Sequence, residues 1–171
     1  MLKRLTPRAE RRATVLVETA FVLPLVLLFL LGIYEYGRFI MMRQLLADAT
    51  REGARFAVVH THDKTTLDVQ NVVDQWLCGQ SVQLQGYSKT TSVQVYKADP
   101  VTGNPLDASN NVVAWTSAPF TNAAFGQAVA VKISAGYQPV LPFLVAYDGG
   151  RLTIMSTVQM QATCIMYSEA N

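Results

Sequence analysis

The sequence predicts an α+β protein in which a long N-terminal helix packs against an antiparallel sheet. The first observation behind this prediction is a helical pattern that continues from Thr14 to Val59, apolar in its first part and amphipathic in its second. The second is a set of short alternating segments in the remainder of the chain, typical of half-buried strands. A sheet with one apolar face and a helix with one apolar stripe each need a cover, and packing them together provides both.

The apolar part of the helix is long enough to cross a membrane. Val15–Ile33 comprises 19 residues, of which only Glu18 and Thr19 are polar. At about 1.5 Å per residue the run spans roughly 28 Å, the thickness of a bilayer's hydrocarbon core. A secretory signal has a shorter apolar core, of about 7–15 residues. We therefore expect residues 14–36 to form a transmembrane helix. Within it, Pro24 removes one backbone hydrogen bond and favours a kink, whereas Gly32, with Gly37 just beyond the span, allows another helix to approach closely.

The helical pattern does not stop at the end of this span. Apolar and small residues continue at steps of three and four, which places them on one helix face. Two pairs of opposite charge, Asp48 with Arg51 and Glu52 with Arg55, occupy the other faces at the i,i+3 spacing. We expect residues 37–60 to be an exported half of the same helix and residues 61–171 to form an α+β head. The predicted apolar stripe is Phe39, Met42, Leu46, Ala49, Gly53 and Phe56.

The charge distribution predicts the orientation in the membrane. The formal net charge is +2, but residues 1–13 carry five basic residues and one acidic residue, which leaves −2 for the rest. A basic cluster next to a span stays in the cytoplasm, so residues 1–13 read as a cytoplasmic leader and the head lies outside the cytoplasm. Because the remainder of the chain is slightly acidic, nucleic-acid binding is not expected.

The head is predicted to contain one further helix and about four strands. Thr65 or Thr66 is a plausible N-cap for a helix through Leu77, with Gly79 just after its end. Leu141–Gly150 contains Pro142 and ends in Asp-Gly-Gly, so it is predicted to be a connection. The strand-like segments are Ser81–Gln85, Ser92–Lys97, Val112–Trp115, Gln127–Tyr137 and Leu152–Tyr167.

The two cysteines, Cys78 and Cys164, allow a single disulfide. An exported domain enters an oxidising compartment, where such a bond is stable. Closing a loop of this length would contribute about 4 kcal/mol in the chain-entropy model. The alternative is a pair of buried free thiols, which the sequence leaves open.

Residues 11–59 resemble the TadE-like family, the minor pilins or pseudopilins of the tight-adherence (Flp-type) pilus system, which are related to type IV pilins. The resemblance is carried by the basic leader, the small residue Ala13, Glu18 five positions later, the early Pro24 and the downstream Arg51-Glu52-x-x-Arg55. It covers roughly the first third of the chain.

The resemblance implies that a prepilin peptidase cleaves between Ala13 and Thr14, which would make Glu18 the fifth residue of the mature chain. In related pilins this glutamate pairs with the new N-terminal amine of a neighbour, so Glu18 and the Thr14 amine become the expected assembly contact. Two opposite charges buried together each reduce the cost of burying the other. The implied partners are other pilin subunits and an inner-membrane assembly platform, with a final location in the inner membrane or the extracellular pilus.

No catalytic constellation is recognisable, and we expect neither an enzyme nor a cofactor. His60 and His62 lie in a short His-Thr-His-Asp segment with no fourth partner, which favours a solvated loop over a metal site. Three functions remain open. Besides the minor pilin, the chain could be an uncleaved bitopic anchor that carries a periplasmic interaction domain. It could also be a soluble domain released by ordinary signal peptidase, which the long helix and Glu18 disfavour.

Overall fold

The computed structural model describes residues 7–79, 84–107, 109–113, 120–121, 123–139, 145–148, 151–154 and 157–169. It divides the chain into two compact units, Met1–Arg38 and Phe39–Asn171, and the long helix enters both. In chain order the elements are α1 (Pro7–Val59), α2 (Thr66–Gly79), α3 (Lys89–Ser92), β1 (Val93–Lys97), β2 (Ala128–Tyr137), β3 (Val145–Asp148), β4 (Arg151–Ile154) and β5 (Val158–Tyr167).

Three antiparallel strands form the main sheet of the second unit, in the order β1-β2-β5. Near the middle of the sheet, Val131 of β2 pairs with Val95 of β1 on one side and with Cys164 of β5 on the other. Strand β2 is buried along most of its length because it has a neighbour on both edges. The α+β fold class predicted from the sequence is confirmed.

Helix α1 packs on this sheet through the stripe that the sequence predicts. Leu46, Ala49 and Gly53 are buried, while Phe39, Met42 and Phe56 pack against the same core from its margin. The ring of Phe39 meets that of Tyr137, at the end of β2, edge to face with centroids 5.6 Å apart. The three-and-four spacing of these residues is what gives the helix one face that fits a sheet.

Helix α2 covers the core beside α1, through Val69 and Val73. Its N-terminus is capped reciprocally. The backbone N–H and the hydroxyl of Thr65 both donate to Asp68 Oδ2, at 2.8 and 2.9 Å, and the Asp68 N–H donates to the Thr65 carbonyl. These bonds satisfy groups that a helix end leaves without partners. The predicted start of the helix at Thr65 or Thr66 is confirmed, whereas its end differs, because Gly79 lies inside α2 and not after it.

A turn-rich loop covers the opposite face of the sheet at one end. The Tyr96 hydroxyl donates to the Gly103 carbonyl at 3.3 Å, and a Cβ added to Gly103 would lie 3.1 Å from Ile165 Cδ1. Asp99 holds this loop, because its carboxylate accepts hydrogen bonds from the backbone N–H groups of Val101 and Thr102.

The end of the chain differs from the prediction. Leu152–Tyr167 is not one strand, because β4 belongs to a separate two-stranded sheet with β3 and only β5 joins the main sheet. The predicted connection Leu141–Gly150 contains β3, whose Asp148 pairs with Arg151. The sequence has Gly149-Gly150 between the two strands, and a two-residue Gly-Gly sequence favours a tight hairpin. This turn preference should have been given more weight than the alternating pattern of the last segment.

Two of the weaker strand predictions fall partly outside the described residues. Of Ser81–Gln85, the structure describes Leu84 and Gln85, and Gln85 forms a bridge to Gly136. Of Val112–Trp115, it describes Val112, which bridges Leu106, and Val113.

Candidate functional site

The candidate site is the apolar N-terminal segment of α1, residues 15–36. Its large hydrophobic side chains from Val15 to Ile33 are between 41% and 75% exposed, a span of apolar surface that water does not favour. Among the described residues, this is the one helix long and apolar enough to cross a membrane. It is compatible with a single-pass anchor. The surface is covered only when lipid or other helices surround it.

Glu18 lies within this exposed surface, one residue before Thr19. The Thr19 hydroxyl donates to the Val15 carbonyl at 2.8 Å, so this polar group satisfies itself within the helix. A carboxylate has no hydrogen to donate to backbone carbonyls and needs a cation or a donor from elsewhere. A carboxylate at the centre of a membrane helix costs about 2.5–3.5 kcal/mol on insertion scales. Glu18 lies about one turn from the start of the apolar run, so this figure is an upper limit for its cost.

Pro24 and the two glycines lie on the same helix. Pro24 is inside α1 and does not end it. Apart from the adjoining residues and nearby backbone of α1 itself, no atom of the described residues lies within 4 Å of the position that a Cβ would take on Gly32 or Gly37, so both positions are open to an approaching helix. The structure thus places Glu18, Pro24, Gly32 and Gly37 along one exposed rod. Their roles in assembly stay predictions.

The predicted processing site lies at the start of this segment. Ala13 and Thr14 have helical backbones within α1, and their side chains lie outside the described residues. Thr14 precedes Glu18 by four residues, about one helical turn. Cleavage between Ala13 and Thr14 stays a prediction.

The structure describes the side chain of only one of the two cysteines. Cys164 carries a free, half-buried thiol on the face of β5 that packs against the core. Burial raises the pKa of this thiol, and the nearby positive charge of Arg51 acts weakly in the opposite direction. The side chain of Cys78, near the end of α2, lies outside the described residues, so the disulfide stays a prediction.

His60 is used structurally. Its ring stacks on Phe56 with centroids 4.4 Å apart, and its Nδ1 lies 3.0 Å from the Phe56 carbonyl oxygen at the end of α1. Within the described part of the chain, no group of three or more His, Cys, Asp and Glu side chains is placed to hold a metal ion.

The structure confirms one of the two ion pairs that the i,i+3 spacing on α1 predicts. Arg51 Nη1 donates to Asp48 Oδ1 at 3.4 Å, and both side chains are exposed.

The comparisons with known proteins support the family resemblance for the first part of the chain. Residues 13–55 match the family model of the TadE-like proteins. No curated protein and no solved structure matches the chain. The matched residues contain most of the exposed apolar segment together with Glu18, Arg51 and Arg55. TadE-like proteins belong to tight-adherence pilus systems and are not known as enzymes. Over residues 13–55 the chain is therefore similar to TadE-like proteins, as its sequence predicted.

Proposed function

We propose that the chain is a minor pilin, or pseudopilin, of a tight-adherence pilus and that it acts by helix packing. Residues 1–13 are the leader removed by a prepilin peptidase, residues 14–36 cross the inner membrane, and residues 37–60 lead into the head formed by residues 61–171. The match to TadE-like proteins supports the pilus system, and the exposed apolar segment supports the mode of assembly.

The single observation that carries this proposal is the continuity of α1 from an exposed apolar segment into a stripe that packs on the sheet. A simple anchor needs only the span. Here the same helix also contributes a stripe of residues to the core beside the sheet, as the long helix of a pilin subunit would.

Glu18 supplies the specificity of this assembly. In the mature chain the Thr14 amine of one subunit pairs with the Glu18 carboxylate of another, which neutralises both groups in a low-dielectric bundle. Pro24, Gly32 and Gly37 adapt the helix surface to its neighbours.

The mature N-terminus tests processing. We expect the intact mass of the membrane-extracted protein to correspond to a chain that begins at Thr14. The residue before the cleavage site is Ala13, where the family usually has Gly, and this favours the alternative of an uncleaved bitopic anchor. A mass that retains Met1 in protein from cells with an active peptidase would establish that alternative.

Glu18→Ala tests the pairing. The variant should insert in the membrane as the wild type does, while its content in sheared pili falls at least several-fold because the Thr14 amine of the neighbour loses its partner. Thr19→Ala is the matched control, since it removes a neighbouring polar group that is satisfied within its own helix. Equal pilus content for the wild type and Glu18→Ala would refute the pairing.

A further inference from the structure

Strand β5 lies at one edge of the main sheet, and every second residue directs its backbone away from that sheet. β5 pairs with β2 residue for residue along its whole length, and the Ser168 N–H donates to the Gln127 carbonyl at 2.8 Å. In an antiparallel ladder, alternate residues bond to the neighbouring strand, and the residues between them direct their N–H and C=O groups the other way. The outward-directed residues are Gln159, Gln161, Thr163, Ile165 and Tyr167.

Within the described part of the chain, these outward groups have no hydrogen-bond partner. No strand pairing, bridge or loop bond of the described residues reaches their N–H or C=O groups. The side chains of all five residues are exposed as well. The edge therefore presents a row of backbone donors and acceptors, to which another extended backbone is the complementary partner.

Strand β1, at the other edge of the sheet, is protected. The buried side chain of Gln70 donates to the Val93 carbonyl at 2.9 Å, and the Leu106 N–H donates to the Lys97 carbonyl at 2.8 Å. β1 is also short, with five residues, and it ends in a lysine. Short length and a charged residue are features that prevent an edge strand from pairing with another chain.

Strand β5 has none of these features. It has ten residues, contains no charged residue, no proline and no glycine, and pairs with β2 without a bulge. An edge of this kind adds a strand readily. The difference between the two edges of one sheet indicates that the β5 edge is a binding surface.

We propose that the outer edge of β5 binds an extended, uncharged segment of a different protein as an additional strand of the main sheet. Backbone hydrogen bonds supply the affinity, and alternate side chains supply the specificity. On the side of α1, the added strand lies beside Ala162, Cys164 and Met166, which are half-buried and pack against the core. Apolar side chains fit there, whereas polar side chains fit the opposite side, beside the exposed Thr163.

A second copy of the chain does not fit this edge. Phe39 contacts Tyr137, which pairs with Val158, and Gly53 lies beside Val131 farther along the sheet, so α1 and β5 run in the same direction. Antiparallel pairing of β5 with itself would place the two α1 helices in opposite directions. Copies anchored in one membrane have a common direction. This step rests on the membrane anchor of the proposed function, whereas the unpaired edge does not.

Amide exchange on the full chain in detergent micelles, followed by NMR, tests whether the edge is open. The N–H groups of Gln161, Thr163 and Ile165 should exchange at least about tenfold faster than those of Ala162 and Cys164, because only the latter two bond to β2. Equal protection of all five amides in the isolated chain would mean that another segment of the same chain covers the edge, and it would overturn the proposal.

Peptide binding tests the occupant. The probe is a capped, fluorescently labelled peptide of alternating threonine and valine, and fluorescence anisotropy measures its binding to the full chain in micelles. The same peptide with every backbone nitrogen methylated is the matched control, because it keeps the side chains and loses the N–H groups. It should bind at least about tenfold more weakly. The unmethylated peptide should also slow exchange of the three outward amides.

Substitutions at the edge test its position. Thr163→Pro removes an outward N–H without removing a bond to β2, and Q161K/T163K places charges on the edge. Each should weaken peptide binding at least about tenfold. Thr163→Ala keeps the N–H, and Gln94→Lys adds a charge to the same face of the sheet on β1, so both controls should bind within about twofold of the wild type. Thermal unfolding verifies that each variant is folded.

The proposal is overturned if the peptide does not bind, if the methylated peptide binds equally well, or if folded edge variants bind like the wild type. Self-association that Q161K/T163K abolishes, without peptide binding, would assign the edge to a second copy and would also overturn it. The assay needs no pili, so failure of the pilin proposal leaves its result unchanged.

Discussion

Val73 Cγ2 of α2 lies 2.6 Å from the point that a Cβ on Gly53 of α1 would occupy. Val131 Cγ1 of β2 is 3.4 Å from the same point. Gly53 therefore marks the place where two helices and the central strand meet, and the absence of a side chain is what lets α2 lie this close to α1.

Gly53→Ala should destabilise the head by about 1–3 kcal/mol, because the added methyl group overpacks a full core. This cost exceeds the gain of up to about 1 kcal/mol that alanine brings to a helix interior. Thermal unfolding of the detergent-solubilised full chain measures the difference. Gly53→Ala combined with Val73→Ala should cost less than the sum of the two single changes. An additive result would mean that the two positions are not in contact.

Acid should loosen the start of α2. The hydrogen bonds from the Thr65 backbone N–H and hydroxyl lower the pKa of Asp68 below its ordinary value. A lowered pKa in the folded state means that this contribution to stability is present above the ordinary pKa of aspartate and is lost as the pH falls through the folded value.

The unfolding midpoint should therefore decrease between about pH 5 and pH 3, and Asp68→Asn should flatten this part of the profile. Circular dichroism against temperature at each pH measures it. Asp63→Asn, in the loop just before α2, is the matched control. A profile that Asp68→Asn leaves unchanged would exclude the capping contribution.

The ring contact between Phe39 and Tyr137 should make a measurable contribution to the packing of α1 on β2. An edge-to-face aromatic pair contributes about 0.5–1.5 kcal/mol beyond its buried area. A double-mutant cycle with Phe39→Leu and Tyr137→Leu should recover a coupling energy in that range. Coupling below about 0.3 kcal/mol would mean that the pair adds nothing beyond burial.

The oxidation state of the cysteines can be read from the mass of the exported protein. If Cys78 and Cys164 are bridged, the unreduced chain is lighter by two hydrogens and peptide mapping recovers the linked pair. A chain with both thiols alkylated under denaturing, non-reducing conditions would contradict the bridge.

The reduced Cys164 thiol should react slowly with iodoacetamide at neutral pH. Burial raises its pKa, so little of the reactive thiolate is present, and alkylation should accelerate as the pH rises toward 10. In Cys78→Ser, which isolates this thiol, Arg51→Ala should slow the reaction further because the opposing positive charge is lost. Faster alkylation of the Arg51→Ala variant would contradict this assignment.

The sequence by itself determined the elements whose pattern is local. The three-and-four spacing from Phe39 to Phe56, the N-cap at Thr65 and the alternation in Ala128–Tyr137 each reflect neighbours a few residues apart, so they were predictable. That Asp68 completes this cap was seen only in the structure. The exposed apolar segment that contains Glu18 was predictable for the same reason.

Only the tertiary structure decided which of these surfaces meet. Leu152–Tyr167 has apolar residues at alternate positions with an interruption only at Ser156, yet Arg151–Ile154 pairs within a hairpin and Val158–Tyr167 pairs with β2. The place of Gly53 under Val73 likewise depends on segments 20 residues apart. Local periodicity predicts which face of a helix or strand is buried. Which other element covers that face depends on the packing of segments that are distant in the sequence, and a short stretch of sequence does not contain that information.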